Sequence, residues 1–159
     1  MLVQRIKTAT GIALADDESP VQPRPHTPEE LDEVIASLMD PLWGGLCRRG
    51  DFARYFAKFD EGDYLCRQGD ASHDAFVLLQ GKVAIERDGR ILSHDGREGT
   101  FLGELSTLTG TLRAASVRAE CTVWVCAFNA AELERLLAAH PAIGIRLVKL
   151  MAERLIRMN

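Results

Sequence analysis

The region from about Tyr55 to Phe128 is a succession of short apolar runs separated by turn residues, and this pattern constrains the fold more than any other feature of the chain. The predicted strands are Phe56–Phe59, Tyr64–Arg67, Ala75–Gln80, Val83–Arg87, Arg90–His94, Ala115–Arg118 and Thr122–Phe128. Glycine-containing turns lie between them, and the Asp88–Gly89 pair predicts a tight hairpin because both residue types tolerate a positive φ. Many short strands at regular intervals indicate a β-sandwich or a β-barrel.

Helices are predicted on both sides of the strand region. Thr27 and Glu30 have the spacing of a capping box, and an apolar face at helical spacing follows them. That face consists of Leu31, Val34, Ile35, Leu38 and Met39. Asn129 and Glu132 have the spacing of a second capping box and begin another helical region, whose last helix is predicted from Pro141 to near Asn159. The predicted fold class is therefore mainly β with flanking α-helices.

The composition argues against several classes of function. A formal net charge of −4 does not point to nucleic acid or an anionic membrane as the partner. The apolar residues at the start of the chain are too few and too interrupted for a membrane span, so the predicted location is the cytoplasm. The four cysteines form no CxxC pair and are interpreted as reduced thiols, and the four histidines are scattered. No metal site and no catalytic cluster is visible.

The segment from Phe101 to Val117, FLGELSTLTGTLRAASV, carries the candidate binding residues. It places Glu104 and Arg113 nine residues apart among glycines and small residues. A carboxylate accepts hydrogen bonds from a sugar hydroxyl, and arginine pairs with phosphate oxygens at two points. Gly103 has no Cβ and lets the backbone approach a sugar closely. The segment suits a ribose carrying a single phosphate, and the alternative is a surface ion pair of little energetic value.

These residues resemble the phosphate-binding cassette of cyclic nucleotide-binding domains, the family of catabolite activator proteins, regulatory subunits of cAMP-dependent kinase and cyclic-nucleotide-gated channels. The resemblance runs from about Phe56 to the C-terminus in five motifs: FDEGDYLCRQGD, FVLLQGKVAI, GEL, RAASV and a helical tail. It implies an eight-stranded jelly-roll β-barrel with N-terminal and C-terminal helices. The local patterns divide the rest of the chain into an extension and linker in residues 1–26 and a helical segment in 27–54, ahead of the binding domain with its closing helices in 55–159. Residues 1–15 fit a strand or a short helix, and Asp16 to His26 is rich in proline and charge, as a linker is.

The resemblance assigns the ribose to the first half of the cassette. Gly103 and Glu104 would take the sugar, with Glu104 accepting from the 2′-hydroxyl. The backbone N–H groups of Leu105 and Ser106 would lie near the ribose and the phosphate, in a short helical turn over residues 104–108. The side chain of Ser106 is equally well explained as that of an ordinary turn serine.

The second half of the cassette would take the phosphate and the base. Arg113 would pair with an exocyclic phosphate oxygen and face a water-filled pocket in the free protein. The Ala114 N–H would add a donor, and Ala115 keeps the pocket uncluttered. Ala114 has no hydroxyl to reach a guanine amino group, so cAMP is the predicted ligand and cGMP the alternative. Leu92 and Ser93 are candidates for the near side of the base.

The implied function is that of a non-enzymatic receptor without a cofactor, which relays the state of its ligand to an unidentified protein effector or through a homodimer. The chain ends before a helix-turn-helix could form, so the expectation is a stand-alone, bacterial-like member without a DNA-binding domain. Arg157, Met158 and Asn159 are the candidates for a lid over the base. The alternative is an assembly protein whose pocket is vestigial or takes another ligand, such as a cyclic dinucleotide. A second phosphate would favour a second arginine, and Arg97 and Arg118 are near the cassette but outside its motif.

Overall fold

The computed structural model describes residues 21–158, and its centre is a pair of four-stranded antiparallel sheets. The strands are β1 Phe56–Phe59, β2 Tyr64–Cys66, β3 Ala75–Gln80, β4 Val83–Arg87, β5 Arg90–Asp95, β6 Phe101–Leu102, β7 Ser116–Ala119 and β8 Val123–Phe128. The first sheet has the order β1-β8-β3-β6 and the second the order β2-β7-β4-β5. The eight strands confirm the mainly β, jelly-roll prediction. The short strand β6 was not predicted, because two residues show no periodicity.

The helices flank this centre. They are α1 Pro28–Ser37, α2 Pro41–Cys47, α3 Glu104–Thr109, α4 Ala130–Ala139 and α5 Pro141–Met158, with a 3-10 helix over Gly50–Tyr55. Both predicted capping boxes are confirmed, Thr27 with Glu30 before α1 and Asn129 with Glu132 before α4. The predicted hairpin is confirmed as well, since Asp88 and the glycine after it have φ values of 53° and 77°.

Both faces of the first sheet are buried. One face, with residues such as Phe76 and Val125, packs against the second sheet, and the other, with Val77 and Cys126, packs under the flanking helices. Because alternate residues of a strand point to opposite faces, β3 and β8 are apolar almost throughout. The helices that cover the first sheet are α1, α2, α4 and α5. None of the helices in the described chain is long and apolar enough to cross a membrane.

The N-terminal part of the structure differs from the expectation at two points. Met39 was expected on the apolar face of the first helix, but it is 85% exposed because α1 ends two residues earlier. The segment before α1 was expected to be a linker, but Arg24 lies against the barrel. Its guanidinium donates twice to the buried carboxylate of Asp63, at 2.8 and 2.9 Å, and its N–H donates to the Lys58 carbonyl. The strand or short helix considered for residues 1–15 lies outside the described residues.

Candidate functional site

The cassette is the connection between β6 and β7. Gly103 directly follows β6 with a φ of 72°, which favours glycine, and this turn starts α3 at Glu104. The helix ends at Gly110 in the same left-handed conformation. The predicted helical turn is therefore present, and it places Glu104 and Ser106 in the interior, with 5% and 4% of their surfaces exposed.

Arg113 is buried with its guanidinium surrounded by neutral oxygen atoms. Its Nη1 donates to the Gly103 carbonyl at 2.9 Å and to Ser106 Oγ at 2.7 Å. Its Nη2 donates to the Asp74 carbonyl at 2.6 Å, and its Nε donates to Ser72 Oγ at 3.2 Å. Only 3% of the residue is exposed, which differs from the water-filled pocket expected for the free protein.

The positive charge of Arg113 has no anionic partner in the described part of the chain. None of its hydrogen bonds goes to a carboxylate, and it takes part in no ion pair there. The Cys66 thiol lies nearby and donates to the Ala115 carbonyl, but burial raises its pKa and outweighs the opposing influence of Arg113, so it stays neutral. Burying a charge without a counter-charge is costly. The positive charge of Arg113 is therefore not balanced by a carboxylate among the described residues.

Close packing around Gly103 ties the turn to the arginine. A Cβ built on Gly103 would lie 2.5 Å from Arg113 Nη1, so no other residue fits without moving the guanidinium. The backbone of Arg113 is also fixed, because its N–H donates to the Asp70 carbonyl and its carbonyl accepts from Gly69. The loop between β2 and β3 and the cassette thus form one hydrogen-bonded unit around the arginine.

Glu104 makes an ion pair with the last helix. Nη1 of Arg154 donates to Glu104 Oε2 at 2.7 Å, and Nη2 of Arg154 donates to the Phe101 carbonyl. The other carboxylate oxygen, Oε1, has no hydrogen-bond partner among residues 21–158. One oxygen therefore connects the cassette to α5, while the other can accept a hydroxyl from a ligand.

The remaining predicted site residues lie around this centre or at a distance from it. Leu105 and Ala114 are exposed, and Ala115 is half-buried just before β7. Leu92 and Ser93 are exposed on β5, an edge strand of the second sheet that β4 separates from β7. The structure thus brings Gly103, Glu104, Ser106 and Arg113 together, whereas Leu92 and Ser93 make no hydrogen bond to them within the described chain.

The sequence analysis missed three residues that hold the site together. Ser72 and Asp74 hold Arg113 from a loop that precedes it by about forty residues, and Arg154 reaches Glu104 from a helix fifty residues later. The one signal in the sequence is that this loop, DASHD, is short and polar and so could supply hydrogen-bond partners for an arginine. Of the residues considered for a lid, Arg157 pairs with Glu153 on its own helix. Within residues 21–158, no three His, Cys, Asp or Glu side chains form a cluster that could hold a metal ion.

Comparisons with known proteins agree with this geometry. The family model described as "Cyclic nucleotide-binding domain" matches residues 56–140, which is more than half of the chain. Lysophospholipase nte1 of Aspergillus fumigatus is 30% identical over 126 residues, which are 77% of this chain and 8% of that protein. The patatin-like phospholipase domain-containing protein 6 of Pongo abelii is 25% identical over 158 residues, 96% of this chain and 11% of that protein. The chain thus spans about a tenth of the length of these curated relatives.

Solved structures share the fold. The catabolite activator protein of Thermus thermophilus is 24% identical with a TM-score of 0.57, covering 83% of this chain and 56% of that one. A cyclic nucleotide-binding domain from Methylobacillus flagellatus is 24% identical with a TM-score of 0.57, and the match covers 81% of this chain and 78% of that one. The structure described as "Sp-2Cl-cAMPS bound to PKAR CBD2" is 22% identical with a TM-score of 0.54, and the match covers 79% of this chain and 83% of that one. At these identities the likeness concerns the fold.

Proposed function

Because this chain belongs to the cyclic nucleotide-binding domain family, we propose that it is a non-enzymatic receptor for cAMP. The observation that carries the proposal is the buried guanidinium of Arg113, whose four hydrogen bonds all go to neutral oxygen atoms. A cyclic phosphodiester brings one negative charge and two exocyclic oxygens, and this is the counter-charge that the site lacks.

The position of Glu104 supports a ribose as the neighbouring group. It lies in the first turn of α3 directly after Gly103, whose carbonyl accepts from the Arg113 guanidinium. Its free Oε1 is suited to accept from a 2′-hydroxyl, since Oε2 is already taken by Arg154. A hydroxyl donating to a carboxylate is a charge-assisted hydrogen bond and stronger than a neutral one.

A ligand with one phosphate fits the charges better than a cyclic dinucleotide. Arg97 contacts the carboxylates of Asp95 and Glu153, and Arg118 donates to Glu86 at 2.7 Å. Both arginines near the cassette are thus paired with acids, so that of these three arginines only Arg113 has no acidic partner among residues 21–158. For the base, the exposed Ala114 supplies no hydroxyl, which supports adenine over guanine.

The ion pair between Glu104 and Arg154 supports a relay through the last helix. Three further residues of α5 tie it to the rest of the fold: Arg146 donates to Asp40, and Glu153 contacts Arg97 while Leu150 is buried in the core. Asp40 also caps α2, so α5 contacts both the cassette and the N-terminal helices. A ligand that fixes Glu104 would therefore change the stability of α5 against the barrel.

The partner that we propose for α5 is a second copy of the chain. Ile145, Val148 and Leu155 are 58%, 67% and 63% exposed, and they recur with the three- and seven-residue spacings of a coiled-coil seam. The opposite face of the helix is already buried. Sedimentation velocity with and without cAMP tests this proposal, with Val148→Glu as the variant that should give monomers. A wild-type monomer in both states would leave a different effector protein as the recipient.

Calorimetric titration of nucleotide-free protein with cAMP, cGMP and a cyclic dinucleotide tests the receptor proposal itself. The expected result is one-to-one binding of cAMP, weaker binding of cGMP and no binding of the dinucleotide. Absence of binding for both cyclic mononucleotides would overturn the proposal and favour the interaction protein with a vestigial pocket. The proposal includes no lysophospholipase activity for this chain, since the match covers 8% of the lysophospholipase relative.

A further inference from the structure

The hydroxyl of Ser106 is bonded on two sides inside the cassette. It accepts from Arg113 Nη1 at 2.7 Å and donates to the Gly103 carbonyl at 3.2 Å. The residue is 4% exposed, and no other side-chain hydroxyl within the cassette contacts the guanidinium. An ordinary turn serine would make the bond to Gly103 alone, so the bond to Arg113 needs a separate explanation.

Arg113 has too few free N–H groups to bind a phosphate at two points while it keeps all its present bonds. A guanidinium has five N–H groups, and four of them are engaged with Ser72, Asp74, Gly103 and Ser106. One N–H on Nη2 remains. A phosphate that binds at two points needs two N–H groups of Arg113, so one of the four N–H groups that are already bonded must leave its present acceptor. The carbonyls of Asp74 and Gly103 belong to the backbone and can only accept, whereas a hydroxyl can rotate and become a donor.

We propose that Ser106 is this exchangeable partner and a direct ligand of the phosphate. In the free protein its Oγ accepts from Nη1. When the nucleotide binds, Nη1–H pairs with one exocyclic oxygen and the Ser106 O–H turns from Gly103 to donate to the phosphate. No proton is transferred, since only hydrogen-bond partners change. The Gly103 carbonyl stays bonded, because it also accepts from Arg113 and from Thr107 Oγ1 at 3.1 Å.

Ser72 is the other hydroxyl partner of Arg113, but its position is less suited to the exchange. It lies on the exposed loop before β3 and binds Nε at 3.2 Å, the longest of the four bonds. Ser106 is buried in the first turn of α3, where the backbone N–H groups of Leu105 and Ser106 itself also have no helical partner. Ser106 also makes the shorter bond to the guanidinium, at 2.7 Å.

The inference rests on the proposed function, and Ser106→Ala with Thr107→Val as its matched control tests it. Both variants remove a buried hydroxyl that donates to the Gly103 carbonyl, but only the first removes a contact with Arg113. Ser106→Ala should weaken cAMP binding on the order of tenfold, the effect of a hydrogen bond to a charged group. Thr107→Val should stay within about twofold of wild type, as expected for a hydroxyl without ligand contact. Thermal unfolding of both variants checks that the fold is retained.

Phosphorothioate analogues distinguish a phosphate ligand from a structural role. Sulfur is a weak acceptor, so the Sp and Rp diastereomers of cAMPS should bind wild type unequally, and Ser106→Ala should reduce that inequality. The ratio of cAMP to 2′-deoxy-cAMP should not change, because Ser106 has no part in ribose binding. Equal losses in Ser106→Ala for cAMP and for both phosphorothioate diastereomers, or the same loss in Thr107→Val, would overturn the inference, as would a reduced Sp/Rp inequality in Ser72→Ala instead. Wild type that binds cAMP through Arg113 would still support the proposed function, whereas wild type that binds no nucleotide overturns both.

Discussion

Arg154 of α5 donates to Oε2 of Glu104 at 2.7 Å and so joins the last helix to the first residue of α3. Glu104 is 5% exposed, and the carboxylate side chain is therefore held almost entirely inside the protein by a partner fifty residues away. The second carboxylate oxygen of Glu104, Oε1, has no hydrogen-bond partner in the described chain. A ligand that binds at Glu104, as proposed, would thus be connected to α5 through one carboxylate.

The first prediction concerns the phosphate contact. Arg113→Ala should abolish or severely weaken binding of cAMP, a loss of roughly 2–5 kcal/mol, because the phosphate charge would be desolvated without its partner. Since four hydrogen bonds hold this side chain in the fold, the variant should also unfold at a lower temperature. Calorimetric titration and thermal unfolding measure the two effects. Arg118→Ala, which removes an arginine paired with Glu86, is the control and should bind normally. Near-normal affinity of Arg113→Ala would contradict the site.

A second prediction concerns the ribose. Glu104→Gln should weaken cAMP binding less than Arg113→Ala, because an amide oxygen can still accept from the 2′-hydroxyl. Wild type should bind 2′-deoxy-cAMP poorly, since the carboxylate oxygen would lose its donor and remain desolvated. Competition against a fluorescent cyclic nucleotide gives both affinities in one assay. If cAMP and 2′-deoxy-cAMP bind equally well, Glu104 does not take the ribose.

Base selectivity gives a third prediction. Wild type should prefer cAMP to cGMP, and Ala114→Thr should narrow this difference, because its hydroxyl can pair with the guanine amino group. A hydrogen bond of this type contributes about 0.5–1.5 kcal/mol net. Ala114→Val is the matched control, with the same branching but no hydroxyl, and should leave the preference unchanged. A wild-type preference for cGMP would place base selection elsewhere, with Leu92 and Ser93 as the next residues to test.

The relay predicts an effect of Arg154 on the motion of α5. Addition of cAMP should slow amide hydrogen exchange in the second half of α5 in wild type, and Arg154→Ala should reduce this protection. The reason is that the ligand acts on α5 through Glu104 and Arg154. The gain in protection cannot exceed the difference in the affinity of cAMP for the protein with α5 docked and with α5 released. Arg157→Ala is the control, since Arg157 is 63% exposed and pairs only with Glu153 on its own helix. Equal protection of α5 in wild type and in Arg154→Ala would rule out this route.

Acid stability provides a fifth prediction, which is independent of any ligand. The guanidinium of Arg24 holds the pKa of the Asp63 carboxyl below its usual range, despite the opposing effect of burial. The stabilisation is complete above the ordinary pKa of aspartate, and it is lost as the pH falls through the lower pKa of the folded state. Urea unfolding between neutral and acidic pH should show this loss in wild type. In Arg24→Ala the protein should be less stable at neutral pH, and the difference from wild type should disappear at low pH. A constant difference at all pH values would contradict the ion pair.

Local patterns in the sequence were sufficient for much of the fold. The capping boxes at Thr27 and Asn129 and the Asp88–Gly89 hairpin depend on contacts within a few residues, so local composition and spacing determine them. Most of the strands are visible in the sequence as short apolar runs between turn residues, although their pairing is long-range. The first half of the cassette is also local, since Gly103 and the first turn of α3 lie in one continuous segment. These features could therefore be predicted without any knowledge of the tertiary structure.

Contacts between distant residues were decided by the tertiary structure alone. Ser72 and Asp74 reach Arg113 because the loop between β2 and β3 packs against the cassette, and Arg154 reaches Glu104 because α5 returns across the barrel. The docking of Arg24 onto Asp63 has the same origin. Which side chains meet in such contacts depends on how sheets and helices pack, and a hydrophobic pattern specifies burial but not the partner. The sequence by itself thus determined the elements and the phosphate-binding motif, whereas packing determined which residues hold Arg113 and connect Glu104 to α5.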